Sequence, residues 1–421
     1  MLIIALLIQL LVLAEMRYRM RGFTPQETFG WFLWLSQIVY LNGDWIYGPQ
    51  YNPGGWETYS YLHHPETQII YYGSIILVLW VSTIGVGRLT GTTAGISESL
   101  TALRDQARKY DTVFKFLVGS IIGAQWVFLN WPVAWYNTQY LAMTGQGSMW
   151  IEGPAVVAIQ SMAGMTGFIS AFYLANNLSQ RGGPIPFVWL VLFVWNICFS
   201  VAACSRASFA ILMVFTLLMH LVSDRKSNAR TLILTAAAIY LLFCALAGRG
   251  AGEFGLESIP TILIAPFEGE SNGAVEVVGS IFQGVFITGD GNEFRADFPL
   301  IYKILSFSPL PSTIDGFPVY REQYEILLSA FVPMSGYTEI IGFGVGYLIF
   351  LWGFVAILMR KLVLSQKKIG LLYFILSCTV LFFLIQGGTY PIRNFFRPLL
   401  FAYLITVYLS RRKGAKVLMK I

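Results

Sequence analysis

The chain has 421 residues, of which 56% are hydrophobic and only 12% are charged, and its formal net charge is +6. A soluble domain carries about twice that fraction of charged residues, so a soluble globular protein is excluded. A positive net charge can indicate binding to nucleic acid. Here membrane topology explains the distribution of the cations, and no nucleic-acid partner is predicted.

Apolar runs near membrane length recur along the chain and predict a single transmembrane domain over residues 1–421. Inside lipid only helices and closed barrels satisfy the backbone, and barrel strands would alternate in polarity rather than run apolar. The predicted spans cover about 2–15, 25–41, 69–87, 113–130, 153–175, 186–203, 207–222, 231–248, 336–358, 369–386 and 396–410. The predicted fold class is therefore an all-α polytopic integral membrane protein with about 11 transmembrane helices.

The positive charges indicate how these spans are oriented. If the N-terminus lies outside, the segments that face the cytoplasm hold 21 of the 28 Lys and Arg residues. This excess satisfies the positive-inside rule and puts the C-terminus in the cytoplasm. Residues 249–335, between spans 8 and 9, then form one large extracytoplasmic loop. The loop is rich in Phe, Ile, Leu and Pro, so we expect it to be folded and to contain short helices.

Two local patterns concern the spans themselves. Thr24, Pro25 and Glu27 form a capping box with proline at the first helical position, which predicts a helix start. The glycines of the segment 342–346 lie inside a predicted span, and we interpret them as sites of close helix packing.

The sequence indicates neither a cofactor nor a metal. It has no Walker loop, no His-Glu-x-x-His and no Gly-x-Ser-x-Gly motif. Asp290, Glu293 and Asp297 surround Arg295, but they lack an EF-hand or Asp-x-Asp pattern, so a solvated acidic loop is favoured over a cation site. The four cysteines lie in apolar segments at spacings that match no metal site, which favours packing roles.

Arginines stand at the predicted outer ends of several spans. Arg206 joins two apolar runs with almost no polar linker, and Arg249 ends the next outward span between two glycines. Arg393 and Arg397 are four residues apart, so in a helix both guanidiniums share one face. Because a guanidinium binds oxyanions bidentately, these four predict a diphosphate ligand at the headgroup level. The alternatives are that each arginine pairs with a nearby acid, or that Arg206 snorkels at a hairpin turn.

Glu339 is the candidate carboxylate for chemistry. It lies in the first turn of the span that comes after the large loop, where it could serve as a base or an orienting acceptor for a hydroxyl group. The alternative is that it stabilises its own helix N-terminus. Arg321 and Arg295, both in the loop, and Tyr337 are further candidate substrate-binding residues.

Two of these segments resemble the signatures of a known family. Ser205-Arg206-Ala207 at a tight hairpin, and Gly336-Tyr337-Thr338-Glu339 before a glycine-rich run, are similar to motifs of the oligosaccharide repeat-unit polymerases. These Wzy-type enzymes elongate O-antigens, capsules and related polysaccharides. The layout is similar too, with many spans, one long external loop in the second half and a basic tail.

The resemblance implies a metal-independent glycosyltransferase in the bacterial cytoplasmic membrane with its active site on the outer side. Both substrates would be oligosaccharides on undecaprenyl diphosphate, and the growing chain would pass to the hydroxyl of an incoming repeat unit. A chain-length regulator is the protein partner that the resemblance suggests, beside membrane lipids. The implied catalytic residues are Glu339, Arg206 and Arg249, and the implied diphosphate ligands are Arg393 and Arg397.

Two other classes of function stay open: an O-antigen ligase or another polyprenyl-phosphate-dependent glycosyltransferase, and a flippase. The related O-antigen ligases use external arginines and a histidine in the large loop, but residues 249–333 contain no histidine, which counts against a ligase. A lipid-linked oligosaccharide flippase would carry charges deep inside its spans, and these spans have essentially none apart from Glu15.

Overall fold

The structure is a computed structural model. It describes residues 2–20, 24–42, 65–86, 92–135, 150–151, 154–178, 186–222, 227–251, 254–268, 298–310, 315–324, 327–329, 332–333, 335–369, 371–388 and 390–411.

The described residues are almost entirely helical, which confirms the all-α fold class. In chain order the helices are α1 Leu2–Met20, α2 Pro25–Leu41, α3 Pro65–Thr83, α4 Thr92–Phe128, α5 Trp131–Trp135, α6 Pro154–Leu178, α7 Phe187–Ala202, α8 Ala207–Val222, α9 Asn228–Ala251, α10 Ile259–Glu268, α11 Leu300–Ser306, α12 Phe317–Tyr324, α13 Gly336–Phe343, α14 Val345–Ile369, α15 Leu371–Gln386 and α16 Ile392–Arg411. Two short antiparallel strands, β1 Leu327–Ser329 and β2 Val332–Pro333, lie between α12 and α13.

Every predicted span overlaps a long helix of the structure. Within the described part of the chain, two segments have the length and the apolar composition needed to cross a membrane, Asn228–Gly248 and Val345–Gln366. Phe187–Ala202, Ala207–His220 and Ile375–Gln386 are apolar but shorter. A membrane protein is therefore indicated, whereas the number of eleven spans and their orientation stay predictions.

The structure forms one of the two hydrogen bonds that define the predicted capping box at the start of α2. The Glu27 amide donates to Thr24 Oγ1 at 3.2 Å, so the threonine caps the helix. The Glu27 carboxylate lies 3.6 Å from the Arg17 guanidinium. In a capping box the Glu27 side chain would bind the backbone amide of Thr24. Here it forms an ion pair with α1.

The chain packs as two compact units. The first comprises residues 1–96 and 278–421, and the second comprises residues 97–277. The single transmembrane domain stays a prediction. In the first unit, Gln9 and Gln37 exchange hydrogen bonds of 3.1 and 2.8 Å inside the buried core, which ties α1 to α2. Reciprocal amide bonds of this kind satisfy polar groups away from water.

The second unit is built around α6, α7 and α8. The rings of Tyr173 and Trp189 stack at 4.5 Å, and Thr166 donates to Asn196 Oδ1 at 2.7 Å. A Cβ at Gly167 would lie 2.4 Å from Ile211 Cδ1, so glycine allows α6 and α8 to approach closely here.

The predicted span over 336–358 is not one helix. It breaks at Gly344, whose φ of +102° lies in a region that L residues rarely adopt, and the chain continues as α14 from Val345. A Cβ at Gly344 or at Gly346 would meet nothing within 4 Å. The interpretation of these two glycines as close-packing sites is therefore wrong, and Gly344 is needed for its backbone conformation.

Candidate active site

Glu339 lies in the first half of α13 and is almost completely buried, with 3% exposure. The helix begins where Ser335 Oγ accepts the Thr338 amide at 3.1 Å, so the serine caps its first turn. One carboxylate oxygen of Glu339 accepts the Tyr302 hydroxyl at 2.9 Å, and the other accepts the Ile392 amide at 2.7 Å. The carboxylate thus joins the predicted loop, α13 and the start of α16.

Tyr302 belongs to α11, and its ring stacks against two aromatic residues. It stacks on Phe298 at 5.4 Å and on Phe317 at 5.6 Å, and only 1% of the residue is exposed. The neighbouring Lys303 donates to the carbonyl of Phe343 at 3.2 Å. Because that carbonyl ends α13 at the Gly344 break, a cation from the loop completes the helix terminus.

Arg393 and Arg397 lie on one face of α16, as their spacing predicted, and both donate to the carbonyl of Leu310. Arg393 also donates to Leu305 O and, at 2.5 Å, to Asp315 Oδ2, and its guanidinium lies 4.1 Å from the centre of the Phe317 ring.

Asp315 neutralises this arginine pair only in part. Its Oδ2 is 2.5 Å from Nη2 of Arg393 and 3.9 Å from Nη2 of Arg397. Burial alone would raise the pKa of Asp315, but hydrogen bonds from Arg393, Ser308 and the Phe317 amide, together with the Arg393 charge, hold this pKa below its ordinary value of 3.8. The carboxylate is therefore ionised at neutral pH, and among the described residues the two cations share this one acid.

Arg393 and Arg397 differ in their exposure to solvent and in which of their N–H groups bind protein acceptors. The side chain of Arg393 is 3% exposed, and its pairing with Asp315 matches the alternative in which an outer arginine neutralises a nearby acid. The side chain of Arg397 is 21% exposed. Its Nε donates to Ser308 O at 3.0 Å and its Nη2 to Leu310 O, while Nη1 has no hydrogen-bond partner among the described residues. Arg397 is the more available of the two for a ligand.

Tyr337 lies in the packed core, two residues before Glu339 in α13. It is completely buried, its hydroxyl donates to Leu384 O, and its ring contacts Trp352 and Phe395. The Gly336 amide donates to Tyr390 O at 2.9 Å, where a Cβ would clash with that backbone. A contact between Tyr337 and substrate would require this packing to open.

In the second unit, Arg206 comes after a tight turn at the end of α7. The Cys204 amide donates to Val201 O at 2.8 Å and the Ser205 amide to Ser200 O at 2.8 Å, which is the Schellman pattern of helix termination. Cys204 takes the left-handed position with φ of +44°, although a residue with a Cβ is disfavoured there by about 1–2 kcal/mol. Ser205 Oγ then accepts the Ala207 amide at 3.2 Å and starts α8.

The end of α9 packs against this turn. An ideal Cβ at Gly248 would lie 3.0 Å from Cys204 Sγ and 3.1 Å from Ile262 Cγ2, so the sulfur occupies the space that a side chain would need. Arg249 is the next residue of α9. The structure therefore brings the backbone at Arg249 close to the turn that carries Arg206, which is half-buried.

The remaining predicted residues lie at the surface or outside the described part of the chain. Arg321 is exposed on α12. The side chain of Arg249 and all of Arg295 lie outside the described residues, as do Asp290, Glu293 and Asp297. The convergence of four arginines on one level stays a prediction, since Arg206 and Arg249 belong to one unit and Arg393 and Arg397 to the other.

Sequence reasoning missed Tyr302 and Asp315. Asp315 precedes Arg393 by 78 positions and Tyr302 precedes Glu339 by 37. No local motif connects such pairs. The one available signal was that the loop is unusually rich in aromatic residues for a solvated segment.

Comparison of the chain with protein-family models, with curated proteins and with solved structures finds no match.

Proposed function

We propose that this protein polymerises lipid-linked oligosaccharide repeat units on the outer face of the bacterial cytoplasmic membrane. Eleven spans with the N-terminus outside would put residues 249–335 and the arginines on that face. The substrates would be a growing chain and a single repeat unit, both on undecaprenyl diphosphate, and a chain-length regulator would be an accessory partner.

The observation that supports this proposal most is the packing of Cys204 against Gly248. It joins the turn of Arg206 to the helix end that carries Arg249, the two residues that we propose for binding the donor diphosphate. Fixed guanidiniums are suited to a reaction in which charge develops on a leaving diphosphate, because they need no reorganisation during the step.

In the proposed step, the bond between the anomeric carbon of the donor chain and its phosphate oxygen breaks, and the acceptor hydroxyl oxygen forms the new bond to that carbon. The hydroxyl proton passes to a base or to water, and the lipid diphosphate leaves with the electron pair. Arg206 and Arg249 would stabilise the charge of the leaving group. Arg397, in the other unit, is proposed by itself as a diphosphate ligand.

The test uses purified protein in lipid nanodiscs with lipid-linked repeat units extracted from cells that lack the protein. We expect a ladder of chain lengths when the repeat unit is the only sugar substrate. A product that forms only after a final acceptor is added would indicate a ligase. Transport across vesicles without a new glycosidic bond would indicate a flippase. Either result would overturn the proposal.

Arginine variants test the residues themselves. Arg206→Ala and Arg249→Ala should abolish the ladder while the protein remains folded in the membrane, and Arg206→Lys should restore little because lysine lacks the bidentate fork. Arg411→Ala, exposed at the far end of α16, is the matched control and should behave as wild type. A normal ladder from either of the first two variants removes that residue from the site.

A further inference from the structure

We infer that Glu339 is a positioning residue, which fixes the start of α16 and through it the face of Arg393 and Arg397, and that it is not the base that takes the acceptor proton. This inference rests on the proposed function for its kinetic consequences. The contact between Glu339 and the start of α16 can be tested without an activity assay.

The first support is the occupation of the carboxylate. A general base must lie within hydrogen-bond reach of the proton that it removes. The two oxygens of Glu339 already accept the Tyr302 hydroxyl at 2.9 Å and the Ile392 amide at 2.7 Å. Both donors belong to buried residues, so an acceptor sugar would have to displace the Tyr302 ring or the backbone of α16 to reach the carboxylate.

The second support is the sequence at the start of α16. Ile392 is the first residue of this helix, and its amide is one of the donors that a helix leaves without an intrahelical partner. The preceding residue, Pro391, has no polar side chain that could cap the helix. Glu339 reaches across from α13 and supplies the missing acceptor, and its negative charge suits the positive end of the α16 dipole.

The third support is the position of both arginines directly after this amide. Arg393 is the next residue in the chain, and Arg397 lies one turn later on the same face, with both guanidiniums on the Leu310 carbonyl. A shift of the Ile392 backbone would therefore move both guanidiniums. Misplacement of a binding group by about 1 Å can reduce the rate of an enzyme by about 100-fold.

Glutamine at this position separates the two roles. Its Oε1 can accept the Ile392 amide and its Nε2 can donate to the Tyr302 oxygen, so both contacts persist without a group that can accept a proton. We expect Glu339→Gln to polymerise within about tenfold of wild type with the same pH–rate profile, since one charge-assisted bond is weakened. Glu339→Ala should lose about 100-fold, mainly through a higher KM for a diphosphate-linked substrate, because Arg397 is displaced.

The activity-independent measurement is hydrogen–deuterium exchange of the peptide that contains Ile392. In wild type and in Glu339→Gln we expect this amide to be protected, and in Glu339→Ala we expect it to exchange faster by a measurable factor. If wild-type protein gives no polymer while the Ile392 amide still exchanges faster in Glu339→Ala, the proposed function is wrong, but the role of Glu339 in fixing the start of α16 is supported.

Two outcomes overturn the inference. The first is equal protection of the Ile392 amide in wild type and Glu339→Ala. The second is a Glu339→Gln variant that is as inactive as an empty nanodisc while it retains wild-type protection, since a base would show that behaviour. If Glu339→Ala is not recovered from the membrane, the comparison of Glu339→Gln with wild type decides alone.

Discussion

Arg393 and Asp315 form an ion pair from which water is almost entirely excluded, with side chains 3% and 5% exposed and Nη2 only 2.5 Å from Oδ2. Phe317 covers the guanidinium at 4.1 Å, Nη1 donates to the carbonyl of Leu305, and Nη2 donates to the carbonyl of Leu310 as well. The pair thus fastens a part of the predicted loop to α16 by charge as well as by packing.

Breaking this pair from one side should be strongly destabilising. Arg393→Met leaves Asp315 without its closest cation and the Leu305 carbonyl without its donor, and loss of one partner of a buried pair costs about 3–5 kcal/mol. We expect a matching loss in the free energy of unfolding, measured by denaturant titration in detergent.

The double variant Arg393→Met with Asp315→Leu should recover part of that loss, because position 315 no longer carries a buried carboxylate that has lost its closest cation. Arg411→Ala, on the same helix but exposed, should change the free energy of unfolding by less than about 1 kcal/mol. An Arg393→Met loss no larger than that of this control would show that the ion pair contributes nothing.

The same pair predicts a pH dependence. The pKa of Asp315 is lower in the folded protein than its ordinary value of 3.8. Its contribution to stability is therefore fully present above that ordinary value and is lost as the pH falls through the lower, folded-state value. The difference in melting temperature between wild type and Asp315→Asn should be constant from neutral pH to about pH 5 and should shrink only at pH values below 3.8. A difference that already shrinks near neutral pH would contradict the assignment.

Alanine substitutions at Gly344 and Gly353 should change the stability of the protein in opposite directions. Neither Cβ position has a neighbour within 4 Å, so packing does not distinguish them. Gly344 has φ of +102°, and alanine there should destabilise by more than about 1 kcal/mol through backbone strain. Gly353 lies inside α14, where alanine should stabilise by about 0.5–1 kcal/mol. Equal effects of the two substitutions on the melting temperature would contradict the helix break.

The contact between Gly248 and Cys204 predicts coupling between two substitutions. Gly248→Val should destabilise by about 1–3 kcal/mol, because the Cβ alone would lie 3.0 Å from the sulfur. Gly164→Val, at a helical site with nothing within 4 Å, is the control for the change in helix propensity. Cys204→Ala combined with Gly248→Val should cost less than the sum of the two single variants. Strict additivity would place the sulfur elsewhere.

The sequence predicted the helices of this fold well because a membrane-length apolar run has few alternatives in lipid. The capping signal at Thr24 identified a helix start to the residue, since the threonine and the amide it binds are three positions apart. Such features are local, and residues near one another in the chain determine them.

Contacts between distant residues were not accessible in this way. The carboxylate of Glu339 was assigned either to chemistry or to its own helix, whereas it binds the first amide of a helix 53 positions away. The glycines near 344 illustrate the same limit within one span. A glycine that packs and a glycine that bends the backbone look identical in a sequence, and only the observed φ distinguishes them.

The attachment of the predicted loop has a consequence for engineering. Tyr302, Lys303 and Asp315 each bind a different partner outside the loop, namely Glu339, the Phe343 carbonyl and Arg393. A chimera that takes the segment with Tyr302, Lys303 and Asp315 from another protein must therefore also take that protein's α13 and α16. The segment to exchange runs from Phe298 to the second turn of α16.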